Sequence, residues 1–197
     1  MLGVEGVTRA VFLNAAEHLG PRLAEFRTRY TTTAAELPDF AEIYPDEINT
    51  LSIEKFPALA VVIPATTGKL GNRQTDIDAA YEEYSYRYTV QLYAYAAGAS
   101  TASTSKAIKR YTLAVREAFL AHKILPTPET DNAVVDPSTL RESYSELDKK
   151  DNKYIAASVV QFEVVTHERL FFDNPFGDTP AEITVGPALE QHPYYAE

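Results

Sequence analysis

The sequence YEEYSYRYTVQLYAYAAG, residues 81–98, decides the fold because its side chains alternate with a period of two. One parity carries Tyr84, Tyr86 and Tyr88 and then aliphatic residues, whereas the other carries Ser, Arg, Thr and Gln before Tyr93. Successive side chains of a β-strand point to opposite faces of the sheet, so this alternation predicts one strand with two different faces. The stretch exceeds the common strand length, and we therefore expect it to project past the body of a small sheet.

An amphipathic helix is predicted on each side of this strand. In the first thirty residues, apolar positions recur at spacings of three and four, which is typical of a helix face: Val4, Val7, Val11, Ala15 and Leu19. Gly20-Pro21 is expected to end or kink that helix, with Pro21 opening a new helical turn. The second helix is expected to be capped by Ser103 or Thr104 and to stop before Pro126. Its apolar stripe comprises Ile108, Tyr111, Val115 and Phe119.

Further strands are predicted from apolar runs. Residues 55–65 form a nearly continuous apolar run that is typical of a strand covered on both faces, and residues 66–80 are interpreted as a loop. Residues 125–138 are also interpreted as a loop. Residues 139–170 predict two strands around a polar turn at residues 148–153. The predicted fold is α+β, a mostly antiparallel sheet with helices on one face, in the order α-β-β-α-β-β. Residues 1–170 form a single domain and the proline-rich residues 171–197 an extended C-terminal arm.

Composition excludes several function classes. The 197 residues carry a formal net charge of −10 and no cysteine. The acidic balance argues against a protein that grips nucleic-acid phosphates, which needs a concentrated basic surface. The absence of cysteine excludes disulfides, thiolate metal sites and cysteine nucleophiles. We expect no signal peptide and no membrane anchor, because no apolar run approaches the length of a membrane span.

No motif in the sequence assembles catalytic chemistry. Gly68-Lys69 lacks the earlier glycine and the following Ser or Thr of a phosphate-binding loop. The acidic residues between Asp76 and Glu83 lack the glycine of a calcium loop and are interpreted as solvated. The four histidines are too far apart in sequence to share a metal at helical or strand spacing. We therefore expect no enzyme activity, no metal and no cofactor.

The tyrosines allow two interpretations. They could stack on bases or sugar rings, but that use favours interleaved Lys and Arg, and here Arg87 stands alone. Tyrosine also suits a half-buried strand or a subunit interface, because its body is apolar and its tip is polar. The second interpretation is favoured: the face of Tyr84, Tyr86 and Tyr88 meets the helices, and the opposite face meets a neighbouring subunit.

The order of elements resembles that of the tail terminator (tail-completion) proteins of long-tailed bacteriophages. The resemblance rests on the N-terminal helix, the strand FPALAVVIP, the long strand YRYTVQLYAYAAG, the connector ASTASTSKA, the helix IKRYTLAVREAFL and the final strand pair ending in VVQFEVVTHE. It covers roughly residues 1–170. The long predicted loops at residues 31–52 and 66–80 and the proline-rich end depart from a minimal member of that family.

This resemblance implies a virion structural protein that caps the head-proximal end of the tail tube as a ring, usually of six subunits. It would stop tube polymerisation and offer a surface for head joining. The implied partners are copies of itself, the major tail tube protein and the head–tail connector or stopper protein, with DNA passing through the lumen without specific binding. The implied location is the virion tail or neck, after assembly in the host cytoplasm. Neither catalysis nor a cofactor is implied.

Three groups of residues are predicted to contact these partners: Arg87, Gln91, Tyr93 and Tyr95 on the long strand; Lys149, Lys150, Asp151 and Asn152 in the polar turn; and Phe171, Phe172 and Phe176 in the arm. Two other functions stay open. One is another head–tail joining or neck component of related fold. The other is a carbohydrate- or nucleic-acid-binding module that uses the Tyr-rich face.

Overall fold

The computed structural model describes residues 3–46, 52–76, 79–127, 133–145, 147–150 and 152–171. In these ranges the helices are α1 (Gly3–Arg29) and α2 (Thr101–Ala121). The strands are β1 (Glu42–Tyr44), β2 (Ala58–Asp76), β3 (Ala79–Gly98), β4 (Ile124–Leu125), β5 (Ala133–Tyr144), β6 (Asp148–Lys150) and β7 (Lys153–Phe171). The fold is α+β with a mostly antiparallel sheet, which confirms the predicted class.

The strands form one sheet in the order β1-β2-β3-β7-β5-β4, and β6 pairs with the first residues of β7. The pairing of β1 with β2 is parallel and the other pairings are antiparallel. The long strand predicted from the alternating tyrosines is β3, with 20 residues. It pairs with β7 without interruption, from Tyr81 opposite Phe171 to Gly98 opposite Tyr154. The sheet is therefore built around three long central strands.

Both helices pack on one face of this sheet. The core joins Leu23 and Phe26 of α1 and Phe119 of α2 to Leu92 and Phe162 of the central strands. These side chains are at most 2% exposed. A second, smaller cluster lies on the opposite face and includes Ile53, Ala58, Ala60 and Tyr95. The predicted parity of β3 is confirmed, since Tyr88, Val90 and Leu92 belong to the helix-side core.

The first helix continues through Gly20-Pro21, so the prediction that it ends there is wrong. Pro21 lies inside α1. Proline removes one backbone donor and normally disfavours a helix interior. Leu19 and Leu23, on either side of it, are nearly or fully buried, and this packing stabilises the helix through the proline. The predicted stripe is buried from Val7 to Leu19, whereas Val4 is exposed.

The second helix begins two residues earlier than its predicted cap. Its N-cap is Ser100, whose side chain accepts a hydrogen bond from the backbone N–H of Ser103. Thr104 instead turns inward and donates to the carbonyl of Ser100 at 2.8 Å. A Cβ on Gly98 would stand 2.5 Å from the Thr104 hydroxyl, so this close approach requires glycine. The predicted stripe of α2 is buried. Neither helix, among the residues described, combines the length and apolar character that crossing a membrane requires.

Two segments predicted as loops are strands. Residues 66–76 belong to β2 and pair with β3 as far as Asp76 opposite Ala79. They show no alternation because residues 64–71 are exposed on both faces, so burial does not select one parity. The loop predicted before residue 139 likewise contains the first half of β5, which begins at Ala133. A register shift between Asp136 and Arg141, where Pro137 lies, breaks the pattern there.

Candidate functional site

The tyrosine face of β3 is packed against the protein's own side chains. The rings of Tyr84 and Tyr86 stack at 5.8 Å, and those of Tyr86 and Tyr88 lie 6.2 Å apart. Tyr88 is 2% exposed. Its hydroxyl donates to Oε1 of Glu168 at 3.2 Å, and the Thr166 hydroxyl donates to the same oxygen at 2.9 Å. Burial, and then the Glu168 carboxylate, raise the pKa of Tyr88 to about 12. The Tyr88 ring is therefore inaccessible to a base or a sugar, whereas Tyr84 and Tyr86 are half-buried and stack on each other.

The opposite face of β3 holds the first group of predicted contact residues. The rings of Tyr93 and Tyr95 stack at 6.4 Å. Tyr95 is only 7% exposed, because it packs in the small cluster with Ile53. The Tyr93 hydroxyl donates to Gln91, and Gln91 in turn donates to Gln161 on β7 at 2.9 Å. The structure thus brings these side chains together on one face and largely covers Tyr95 with the chain itself.

Arg87 lies further along the same face and is held by two carboxylates of neighbouring strands. Its guanidinium nitrogen Nη1 lies 2.7 Å from Glu163 Oε2 and 3.1 Å from Asp136 Oδ2. These hydrogen bonds, to Glu163 first, raise the pKa of Arg87. Hydrogen bonds from Ser138 and then from Arg87 lower the pKa of Asp136. The cation that the sequence singled out is therefore neutralised locally and does not face a phosphate.

The second group of predicted contacts lies at the turn between β6 and β7. Lys149 is exposed, and its ammonium stands 5.7 Å above the ring of Tyr154. Asn152 adopts a φ of 62°, a left-handed conformation that asparagine tolerates in turns. Lys150 is the last residue of β6, and Asp151 lies outside the described residues.

The third group begins where β7 ends. Phe171 is the last residue of β7 and not the first residue of an arm, whereas Phe172 and Phe176 lie outside the described residues. β7 has 19 residues, so its two ends lie roughly 60 Å apart along the strand, at ~3.3 Å per residue. The described members of the three predicted groups consequently occupy one face and two opposite ends of the sheet.

The unpaired outer edge of β2 was not predicted from the sequence. β1 pairs with β2 only at residues 58–60. From Val61 to Asp76, β2 has no strand partner on its outer side within the described part of the chain. Residues 64–71 are also exposed on both faces. We call the part of the central sheet formed by residues 64–76 of β2, 79–87 of β3 and 165–171 of β7 the projecting half.

A close contact inside the projecting half explains a glycine in β2. Gly68 lies opposite Tyr86 in the antiparallel pair. A Cβ at Gly68 would stand 2.6 Å from the Tyr86 ring, closer than a carbon contact permits. Because the ring lies over the glycine, Tyr86 is held against β2. A glycine directly across from an aromatic residue was the signal that could have revealed this strand pair.

The remaining polar groups do not form a reactive site in the described residues. There, no group of three or more histidine, aspartate or glutamate side chains is placed to hold a metal. The rings of His18 and His122 stack in parallel at 3.5 Å. Nitrogen lone pairs lie in the plane of an imidazole, so two parallel rings do not direct them at one ion. Burial, and then His18 and Arg22, lower the pKa of His122. The expectation that the chain is not an enzyme stays a prediction.

Comparisons with known proteins give a structural likeness of low TM-score. No protein-family model matches the sequence, and no curated protein matches it. Among solved structures, a chain from "Virion of native gene transfer agent (GTA) particle" is similar at 13% identity and a TM-score of 0.35. The likeness covers 85% of this chain and 100% of that chain. At that TM-score it does not carry a functional conclusion.

Proposed function

We propose that this protein is a virion structural protein that caps the head-proximal end of a phage tail tube as a ring, ends tube polymerisation and offers a surface for head joining. One observation carries the proposal: β2 leaves its outer edge without a strand partner from Val61 to Asp76 in the described chain. The projecting half, which contains most of this edge, extends past the apolar core under the two helices.

A free edge of this length suits assembly. Unpaired backbone donors and acceptors on an edge strand readily pair with another chain, so proteins normally shorten, bend or cover such edges. A ring covers them systematically, because each subunit presents one surface to a different surface of the next subunit. The other side of the sheet ends in the short strand β4 and in β5, which carries a register shift and Pro137. The two sides of the molecule are therefore different, as a head-to-tail ring requires.

The charge and the polar chemistry agree with this role. A net charge of −10 suits a channel through which DNA slides without adhering. The cations of the projecting half that form ion pairs there, Arg87 and Arg169, pair with carboxylates of the chain itself. The order of elements along the chain, which resembles that of tail terminators, supports the same function.

Two measurements test the proposal. Mass photometry of the purified full chain should show a ring-sized oligomer, either alone or after addition of purified tail tubes. A protein that stays monomeric and never associates with tubes would contradict the proposal. Electron microscopy of particles that lack the protein then defines its position. Overlong tails are expected if it terminates the tube, whereas headless tails of normal length would identify a joining component instead.

A further inference from the structure

A cluster of three cations lies on the first two turns of α2. Lys106 and Lys109 are exposed and Arg110 is half-buried. None of the three forms an ion pair in the described part of the chain, and Arg110 rests 4.7 Å above the ring of Tyr30. By contrast, Arg116 on the same helix is bound to Glu142 at 3.0 Å. In a chain with a net charge of −10, an unpaired basic cluster marks a surface that attracts an acidic partner.

Next to this cluster lies an open cavity. Its volume is about 370 Å³, within the range of ligand pockets. Its lining includes the apolar groups of Phe56, Pro57 and Tyr111 together with the cations Lys106 and Arg110. Glu36 also lines the cavity. Hydrogen bonds from Thr32 first, and among smaller causes the charge of Lys106, lower the pKa of that carboxyl. The cavity therefore combines apolar and polar side chains with two cations.

The residues that follow β7 carry the complementary chemistry. Residues 172–197 contain no Lys or Arg and five acidic residues: Asp173, Asp178, Glu182, Glu190 and Glu197. The first part of this segment reads DNPFGD, in which Asp173 and Asp178 flank Phe176. An aromatic anchor between two carboxylates matches a cavity whose lining includes apolar side chains and two cations.

The distance along β7 from Phe171 to the cavity indicates whether the segment docks on its own chain or on a neighbouring copy. Thr104 at the start of α2 lies 3.4 Å from the carbonyl of Tyr154, at the opposite end of β7 from Phe171. Lys106 therefore lies near the far end of β7, roughly 50 Å from Phe171 as measured along the strand at ~3.3 Å per residue. Asp178 is the seventh residue after Phe171, so it reaches at most ~25 Å from there. The span along β7 is about twice that reach, which favours the cavity of a neighbouring copy.

We infer that the DNPFGD segment, residues 173–178, of one subunit docks on the α2 cavity of a neighbouring copy. Phe176 occupies the cavity, and the carboxylates of Asp173 and Asp178 contact Lys106, Lys109 and Arg110. This inference rests on the ring proposed above and gives that ring a specific contact. The segment functions as an arm that ties each subunit to the next. Because the contact is charged and partly exposed, it weakens as salt concentration rises.

The absence of cysteine makes the contact testable by disulfide trapping in the full chain. One chain carries Lys106→Cys or Lys109→Cys together with a size tag, and a second carries Asp173→Cys or Asp178→Cys. After mixing and mild oxidation, we expect a disulfide-linked heterodimer on a non-reducing gel, since a disulfide requires Cα atoms within ~7 Å. The matched control is Lys123→Cys, exposed just past the end of α2. It should give roughly tenfold less heterodimer.

Two outcomes of the trapping overturn the inference. The first is that no pair yields more heterodimer than the Lys123 control. The second is that a chain carrying both cysteines closes the disulfide within a monomer, which would place the segment on its own subunit. Mass photometry of the unmodified chain separates this failure from failure of the proposed function. A ring without the cross-link contradicts only the arm contact, whereas absence of any oligomer, with or without tail tubes, contradicts the ring itself.

Charge exchange tests the electrostatic part of the contact. K106E/K109E/R110E should lower the fraction of oligomer, and D173K/D178K should do the same. Combining the two sets should restore it, because the opposite charges are then exchanged. R9E/K123E changes two exposed cations outside every predicted contact group, so it is the control and should leave the oligomer unchanged. Failure of the combined set to restore assembly overturns the inference, as does a labelled DNA duplex that binds the basic cluster while no heterodimer forms.

Discussion

The three central strands of this protein have two halves that differ in what holds them. We call the half near the helices the covered half: residues 58–63 of β2, the paired parts of β3 and β7 and the two helices that pack on them. It forms an apolar core, in which Leu59, Leu92 and Phe162 are fully buried. Beyond Val61, Tyr88 and Val164 the buried apolar core of these strands ends. In the projecting half, polar Thr166 and Glu168 are buried instead, and residues 64–71 of β2 are exposed on both faces. The same strands thus serve stability at one end and, in our proposal, assembly at the other.

The largest loss of stability is expected from a substitution in the covered half. Phe162 is fully buried, and its ring lies 5.1 Å from that of Phe119 on α2. Phe162→Ala should lower the free energy of unfolding by about 3–5 kcal/mol, because the lost burial leaves a cavity. Chemical denaturation measures this. Leu70→Ala, in the projecting half where Leu70 is 48% exposed, is the control and should change stability by less than about 0.5 kcal/mol. Equal losses would show that the two halves do not differ in this way.

The next largest effect is an expected gain in stability, on replacing a buried polar residue of the covered half. Asn14 on α1 is 1% exposed, and neither its Oδ1 nor its Nδ2 has a hydrogen-bond partner among the described residues. An unsatisfied buried amide costs roughly 1–3 kcal/mol. Asn14→Leu has nearly the same shape, so it should raise the denaturation midpoint. Asn14→Asp, which buries a charge at the same place, should lower it. A loss of stability in the leucine variant would mean that the amide binds a structural water.

The close contact between Gly68 and Tyr86 allows the packing of the projecting half to be tested by substitution. Gly68→Ala places a Cβ 2.6 Å from the Tyr86 ring, and displacing that ring should cost about 1 kcal/mol. Amide hydrogen exchange should accelerate in residues 66–70 and stay unchanged in the covered half. In a Tyr86→Ala background the same change should become neutral or stabilising, since alanine is favoured over glycine in a strand. A cost that persists without the Tyr86 ring would place the strain elsewhere.

The sequence predicts the covered half well and the projecting half poorly, for one physical reason. Burial on one face imposes a period on a sequence, so the stripes of α1 and α2 and the parity of β3 were predicted correctly. Residues 66–71 of β2 carry no such period, because they are exposed on both faces of the sheet. Their strand structure depends on pairing with β3. A free edge is a property of the assembled sheet and has no counterpart in the order of residues.

The residues predicted to contact partners also show how far prediction from the sequence extends. The polar turn predicted at residues 148–153 is only partly correct, because residues 148–150 form strand β6 and only the residues between β6 and Lys153 connect the two strands. Tyr95 was assigned to a neighbouring subunit from parity alone, and the structure places it under Ile53 of its own chain, at 7% exposure. Parity tells which face a side chain occupies. It does not tell which segment returns to cover that face, because the contact joins residues far apart in sequence.

The smallest predicted effect concerns pH and the covered half alone. His122 stacks on His18 at 3.5 Å, and burial, then His18 and Arg22, lower its pKa from the ordinary 6.5. The folded protein therefore binds less proton at His122 than the unfolded chain does, so stability is present above pH 6.5 and declines as pH falls from that value towards the lowered pKa. His122→Gln should flatten the dependence of the thermal midpoint on pH between about 5 and 7, where histidine titrates. If His122→Gln left the slope unchanged, the protonation of His122, which the neighbouring His18 disfavours, would not be its source.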